Sequence, residues 1–173
     1  TVAESLTAGA GGITVDTNLG TVTFGTGTAM TVTSAGALTV NATGAIDDLA
    51  NVNFAITGNA TFNNAGGGNI TIGDDAGTTA NFGSLTFNGG ASVIFIQDSN
   101  MVLAGASVAT DEVNLTSTTG SIDDGGAATL TLGTDQAGDS EAFFGAVTTI
   151  TLNTAGHAFD TVRESGTTVP LNE

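Results

Sequence analysis

The sequence predicts an all-β chain wound as a parallel β-helix, a β-solenoid. Three observations carry that expectation. Apolar and polar residues alternate with period two along nearly the whole chain, turn formers interrupt the alternation at short intervals, and one phrase occurs twice. Residues 38–48 read LTVNATGAIDD and residues 113–124 read VNLTSTTGSIDD. Their starts lie 113 − 38 = 75 residues apart, and self-similarity of this kind marks a repeat architecture.

The strands are expected at apolar–polar–apolar triplets. In chain order these begin with Ile13-Thr-Val15, Val22-Thr-Phe24, Met30-Thr-Val32, Leu38-Thr-Val40, Val52-Asn-Phe54-Ala-Ile56 and Ile70-Thr-Ile72. They continue through Leu85-Thr-Phe87, Val93-Ile-Phe95, Met101-Val-Leu103, Val113-Asn-Leu115, Leu130-Thr-Leu132, Ile150-Thr-Leu152 and Val169-Pro-Leu171. Successive strand side chains point to opposite faces, so each triplet turns two apolar groups inward and one residue, mostly Thr or Asn, outward. Phe24, Phe54, Phe62, Phe87 and Phe95 fall at inward positions and read as stacked core aromatics. No i, i+3, i+4, i+7 stripe is sustained, so helices are expected to be nearly absent.

Between the triplets stand Gly11-Gly12, Gly25-Thr-Gly27, Gly66-Gly67-Gly68, Asn88-Gly89-Gly90 and Gly125-Gly126. Such residues make corners. An antiparallel sandwich also has short alternating strands, but a repeated phrase favours coils whose strands pair turn upon turn at about 4.8 Å. Dividing the 75-residue separation into four predicts coils of about 19 residues, hence roughly nine coils in a single solenoid segment spanning residues 1–173.

Composition narrows the function. The chain has 17 carboxylates against one basic side chain, Arg163, for a net charge of −16. Only 10% of its residues are charged and 40% are hydrophobic, which separates it from disordered acidic chains. A uniformly acidic surface repels phosphate backbones and anionic headgroups, so neither nucleic acid nor membrane insertion is expected. No apolar run approaches the length of a spanning helix. The first residues, Thr-Val-Ala-Glu, carry neither Met nor a basic segment and read as a mature or excised piece. With no Lys at all, the chain offers trypsin-like proteases a single site, which suits an extracellular or cell-surface location; a halophilic or lineage bias in composition explains it equally well.

From about Ile13 onward the chain resembles the repeat region of filamentous-haemagglutinin-like bacterial exoproteins. The phrases that carry the resemblance are residues 38–48 and 113–124, together with Asn59–Gly66 (NATFNNAG) and Ile150–Phe159 (ITLNTAGHAF), which look like that family's strand followed by Asn-x-Ala-Gly. The resemblance implies a right-handed β-helix, export across an outer membrane, and service as a rigid stalk or adhesive fibre. The family's amino-terminal secretion domain is not visible in this chain.

No catalytic constellation is legible. The paired acids Asp47-Asp48, Asp74-Asp75 and Asp123-Asp124 are the positions calcium would use, but no EF-hand spacing and no calcium-binding nonapeptide repeat accompanies them. The reading they favour is one turn Asp closing on backbone amides beside one solvated Asp. Asp135, Asp139 and Glu141 form a looser cluster. Adjacent acids on one turn do not oppose each other as glycosidase carboxylates do, and a lyase for acidic sugars needs basic groups to hold its substrate, of which this chain offers only Arg163. His157 stands alone without Cys, so neither a zinc site nor a nucleophilic triad is assembled, and it reads as a turn or partly exposed residue. Thr129/Thr131 and Thr149/Thr151 raise ice binding, but the Thr row read this way is broken. No enzyme activity and no cofactor are expected. The expected function is a structural segment of a secreted or surface-attached fibre or adhesin, with a self-assembling filament or matrix subunit as the alternative. An ice-binding protein or a carbohydrate-active β-helix ranks lower. The partners expected are end-to-end copies or flanking coils of the same chain, with host or cell-surface glycans or proteins as further candidates.

Overall fold

Strands form where the period-two pattern places them. The structure, a computed structural model, describes residues 1–17, 19–133, 140–159 and 161–166. Among these are eighteen strands and no helix. The first six are β1 (Leu6–Ala8), β2 (Ile13–Asp16), β3 (Val22–Phe24), β4 (Met30–Ser34), β5 (Leu38–Ala42) and β6 (Ile46–Asp48). Then come β7 (Val52–Asn64), β8 (Ile70–Ile72), β9 (Thr79–Asn88), β10 (Ser92–Gln97), β11 (Met101–Val102) and β12 (Ala106–Ala109). The last are β13 (Glu112–Ser117), β14 (Ile122–Asp123), β15 (Thr129–Leu132), β16 (Glu141–Ala146), β17 (Ile150–Thr151) and β18 (Thr161–Gly166). Residues 169–171 lie outside the described residues.

Every strand pairing is parallel, and the strands stack into three sheets along one axis. The first sheet follows β1-β4-β7-β9-β12-β15, with β2 and β5 joining it through β7. The second follows β3-β6-β8-β10-β13-β16-β18, and the third is β11-β14-β17. This is a parallel β-solenoid, as the sequence predicts.

The coil count differs from the expectation. The seven strands of the second sheet mark seven turns, not nine. Val22, Ile46, Ile70 and Val93 are successive register partners, so these turns take 24, 24 and 23 residues rather than about 19. Glu112 to Glu141 takes 29 residues and Glu141 to Thr161 takes 20. Alternation locates strands but says nothing of corner length, and the corners here vary freely.

The repeated phrase also has a different meaning from the one its spacing implies. Residues 38–48 form β5 in the first sheet and then β6 in the second. Residues 113–124 lie in β13 of the second sheet and then β14 of the third. Val40 stacks with Val15 and Phe62, whereas Leu115 stacks with Phe95 and Phe144. The phrase therefore encodes a strand–corner–strand unit used at two different corners, and its 75-residue separation is not a whole number of turns.

Inward triplet residues form one continuous apolar column, with Phe24, Phe54, Phe62, Phe87 and Phe95 all essentially sealed from solvent. The rings contact one another along the axis, from Phe24–Phe54 at 5.2 Å to Phe62–Phe95 at 5.0 Å between centroids. Phe82, which no triplet singled out, joins this column between Phe54 and Phe62 at 5.9 and 5.8 Å. In β7 the register slips between Ile56 and Asn59, bending the first sheet. Gly36, Gly58 and Gly83 stack at the bend. A Cβ on Gly58 would lie 2.8 Å from the Gly36 backbone, and one on Gly83 would collide with the Thr57 carbonyl.

Candidate functional site

The acids the sequence paired are split by the strand phase into different environments. In each IDD phrase the Ile and the second Asp point inward and the first Asp points outward, because positions two apart share a face. Asp48 thus occupies the same inward column as Phe24, its register partner one turn earlier. Asp124 follows Ile122 in the same phase, and both acids are buried.

Asp124 is saturated with donors. Its Oδ1 accepts the Gly126 amide at 2.9 Å, and its Oδ2 accepts the Thr154 amide at 2.6 Å and meets His157 Nε2 at 3.1 Å. Burial by itself would raise the Asp124 carboxyl. The Thr154 amide, His157 and the Gly126 amide together outweigh it and hold the group well below the usual carboxylate range. His157 Nδ1 accepts the Leu130 amide at 3.1 Å, which leaves Nε2 to carry the proton that Asp124 receives. The ring stacks on Phe159 with a 14° interplanar angle. His157 is therefore a corner lock: the residue is partly exposed just after a turn, as the sequence predicts, but its side chain is only 5% exposed. With both ring nitrogens occupied by Asp124 and a backbone amide, it resembles the Asp–His half of a catalytic triad but holds no free nitrogen for a base.

Asp123 plays the turn role the sequence assigns, its Oδ1 accepting the Gly125 amide at 2.6 Å. Asp48 has much less support. Its Oδ1 accepts the Gly73 amide at 2.7 Å, while Oδ2 is buried without a hydrogen-bond partner. Burial pushes its carboxyl up to about 6, against the Gly73 amide and the Thr78 hydroxyl, with the charges of Asp74 and Asp75 pushing further. Asp47, outward beside it, is raised by partial burial and by the same two acids. Asp47, Asp48, Asp74 and Asp75 thus share one corner electrostatically. Yet among the described residues no three His, Asp or Glu side chains are grouped closely enough to hold a metal ion. Asp135 and Asp139 lie outside the described residues, and Glu141 pairs with Arg163.

The sequence missed a different arrangement. On the outer face of the first sheet, Thr14, Thr39, Thr61 and Thr86 form an in-register row over four turns. Beside it runs a second row, Asp16, Asn41, Asn63 and Asn88. The Asn41, Asn63 and Asn88 amides bridge consecutive turns at 2.8 and 3.0 Å. The signal was a Thr-x-Asn/Asp motif four times over, hidden by unequal turn lengths. Two of the four hydroxyls are engaged: Thr61 accepts from Asn59 at 2.8 Å and Thr86 donates to the Ala104 carbonyl at 2.6 Å.

Charge is segregated as well. The eight strands of the first sheet carry one ionisable residue, Asp16, whereas the second sheet carries Asp47, Asp48, Glu112, Glu141, Arg163 and Glu164. Along the bend of the first sheet lies an open groove of about 620 Å³, lined by small residues including Thr33, Ala35, Ala55, Thr57 and Asn81, with no titratable group. Comparison with known proteins adds no name to this geometry: no family model, no curated protein and no solved structure matches the chain.

Proposed function

We propose that the chain is a structural segment of a secreted or surface-attached bacterial fibre or adhesin, a rigid protease-resistant stalk whose neutral Thr/Asn face makes contacts. The observation that carries this reading is the seven-turn apolar column sealed beneath ladders of parallel strands. At about 4.8 Å per turn the segment is a rod section roughly 30 Å long. Exposed loops and frayed ends are where proteolysis concentrates, and here most cleavable apolar side chains face inward. The resemblance to filamentous-haemagglutinin-like exoproteins supports the same role. Neutral glycans or proteins suit the first sheet, because anionic partners are repelled by a chain carrying −16.

The test is binding and digestion on the intact chain. Native protein should resist a chymotrypsin-like protease for hours under conditions that digest the urea-unfolded chain within minutes. It should also bind a neutral glycan or cell-surface array through the first sheet, and lose that binding when Asn63 is changed to Lys. Rapid native digestion, or turnover of any polysaccharide that is lost on changing Asp47 or Asp123, overturns the proposal.

A second reading, a self-assembling filament or matrix subunit, is favoured by one observation. The inward residues Val2, Leu6, Ile13 and Val15 of the first turn are only partly buried, whereas Phe24, Val32, Leu38 and Val40, their partners one turn on, are fully buried. A further turn, from flanking sequence or another copy, would complete their burial and pair the free strand edges. Light scattering on the purified chain separates the two: a concentration-dependent polymer favours the subunit and a stable monomer favours the stalk.

A further inference from the structure

We propose that Asp48 is a proton-binding switch within the solenoid wall, which loads a proton in mildly acidic surroundings and thereby tightens the corner at residues 73–78. Four observations place it there. Asp48 stands in the inward apolar column on Phe24 with no solvent exposure. One carboxylate oxygen has a single donor, the Gly73 amide at 2.7 Å, and the other has none. The Thr78 hydroxyl, the one other polar group that favours its charge, already donates to the Leu49 carbonyl at 3.2 Å. The titratable groups that act on it are both acids, Asp74 and Asp75 from the turn after β8, while Asp47 on its own strand faces outward. The packed strands β3, β7 and β8 contribute no Lys, Arg or His. The chain's one Arg and one His, Arg163 and His157, are paired elsewhere with Glu141 and Asp124.

A buried carboxylate without counter-charge or donors is costly, and a proton removes that cost. The bound proton also turns the carboxyl into a donor, and the Thr78 hydroxyl is the side-chain hydrogen-bonding group beside it. That bond would join β6 to the turn leading into β9. Because the folded value of about 6 lies above the ordinary 3.8, the folded chain holds the proton more tightly than the unfolded one. The stabilisation is complete below about 3.8 and is lost as pH rises through about 6. The twin position Asp124 shows the contrast: the same phrase, supplied with three donors, keeps its charge.

Carbon-13 carboxyl NMR on the intact chain, together with thermal melts between pH 8 and pH 5, tests the switch. The Asp48 carboxyl should titrate near pH 6, about two units above the exposed acids. Wild-type Tm should rise on acidification by on the order of 3–6 °C. Asp48→Asn, which mimics the neutral acid, should melt higher at pH 8 and lose most of that rise, whereas Asp16→Asn should keep it. An Asp48 carboxyl that titrates with the exposed acids near pH 4 overturns the proposal, as does an Asp48→Asn chain with the full wild-type rise. If that variant does not fold, the carboxyl titration of the wild-type chain decides alone.

Discussion

Buried side chains in this wall fall into two kinds, and substitution should separate them. Phe62 touches Phe82 and Phe95 inside the column, so Phe62→Ala should cost about 3–5 kcal/mol. Thr71, outward on β8, should lose well under 1 kcal/mol when changed to Ala. Denaturant unfolding of the two variants checks this, and equal losses would mean the strand faces are assigned wrongly. His157→Ala removes an acceptor from the Leu130 amide and a donor from Asp124, leaving a buried group unmet on each side. The expected loss is about 1–3 kcal/mol for each unsatisfied group, read by melting at pH 7. Since Asp124 is held below its ordinary 3.8, its contribution is present above that value and disappears as pH falls beneath it. Asp48 works in the opposite sense, so the melting temperature should peak in mild acid and fall again below about pH 4. The residue-level signals were legible for the apolar triplets because a two-residue period is local. They were not legible for Asp48 and Asp124, because nothing in IDD says how many amides the next turn will aim at its second acid.

Between residues and molecule, the corners set how strands are joined. Gly83 sits where the bend of β9 passes over Thr57, so a methyl group there must displace backbone. Gly83→Ala should therefore destabilise by more than the roughly 1 kcal/mol that a helix or strand glycine usually commands, and in the opposite direction. Gly9 begins the same bend in open space, and Gly9→Ala should be neutral or mildly stabilising. Urea midpoints of both variants measure the difference. The Asn41–Asn63–Asn88 ladder makes a separate prediction. Asn63→Ala breaks both bridges and should cost about 1 kcal/mol, while a further Asn41→Ala adds much less than its own single loss. Strictly additive losses would show that the ladder carries no coupling. Strand existence could be read from the chain, but strand membership could not. The two copies of the phrase look equivalent in sequence, yet join the first sheet to the second in one case and the second to the third in the other. The phrase records only that a strand ends at a small or polar residue, turns past Gly, and resumes.

For the whole molecule, the dominant fact is a −16 charge spread over a rod whose first sheet is nearly neutral. Rods of like charge repel side by side, although about 0.15 M salt screens this beyond roughly 8 Å. Association through the ends, or through the neutral sheet, meets least repulsion. Sedimentation in low and high salt should therefore show end-to-end species already at low salt, with lateral aggregates appearing only as salt rises. A chain that stays monomeric at every salt concentration, with both terminal turns protected from hydrogen exchange, would rule out assembly through the ends.

The sequence alone determined the local physics: which residues make strands, which of their faces is apolar, where glycine punctuates the chain, and that a single basic side chain faces seventeen acids. These follow from a two-residue period, side-chain chemistry and composition, all properties of neighbours along the chain. Tertiary structure decided the turn length, the three-sheet cross-section, the Thr and Asn rows and the contrasting fates of Asp48 and Asp124. Each of these depends on which residue lies one turn above another. That choice is made by packing the apolar column at a common strand spacing while corners of unequal length absorb the difference, and no short stretch of sequence contains both partners.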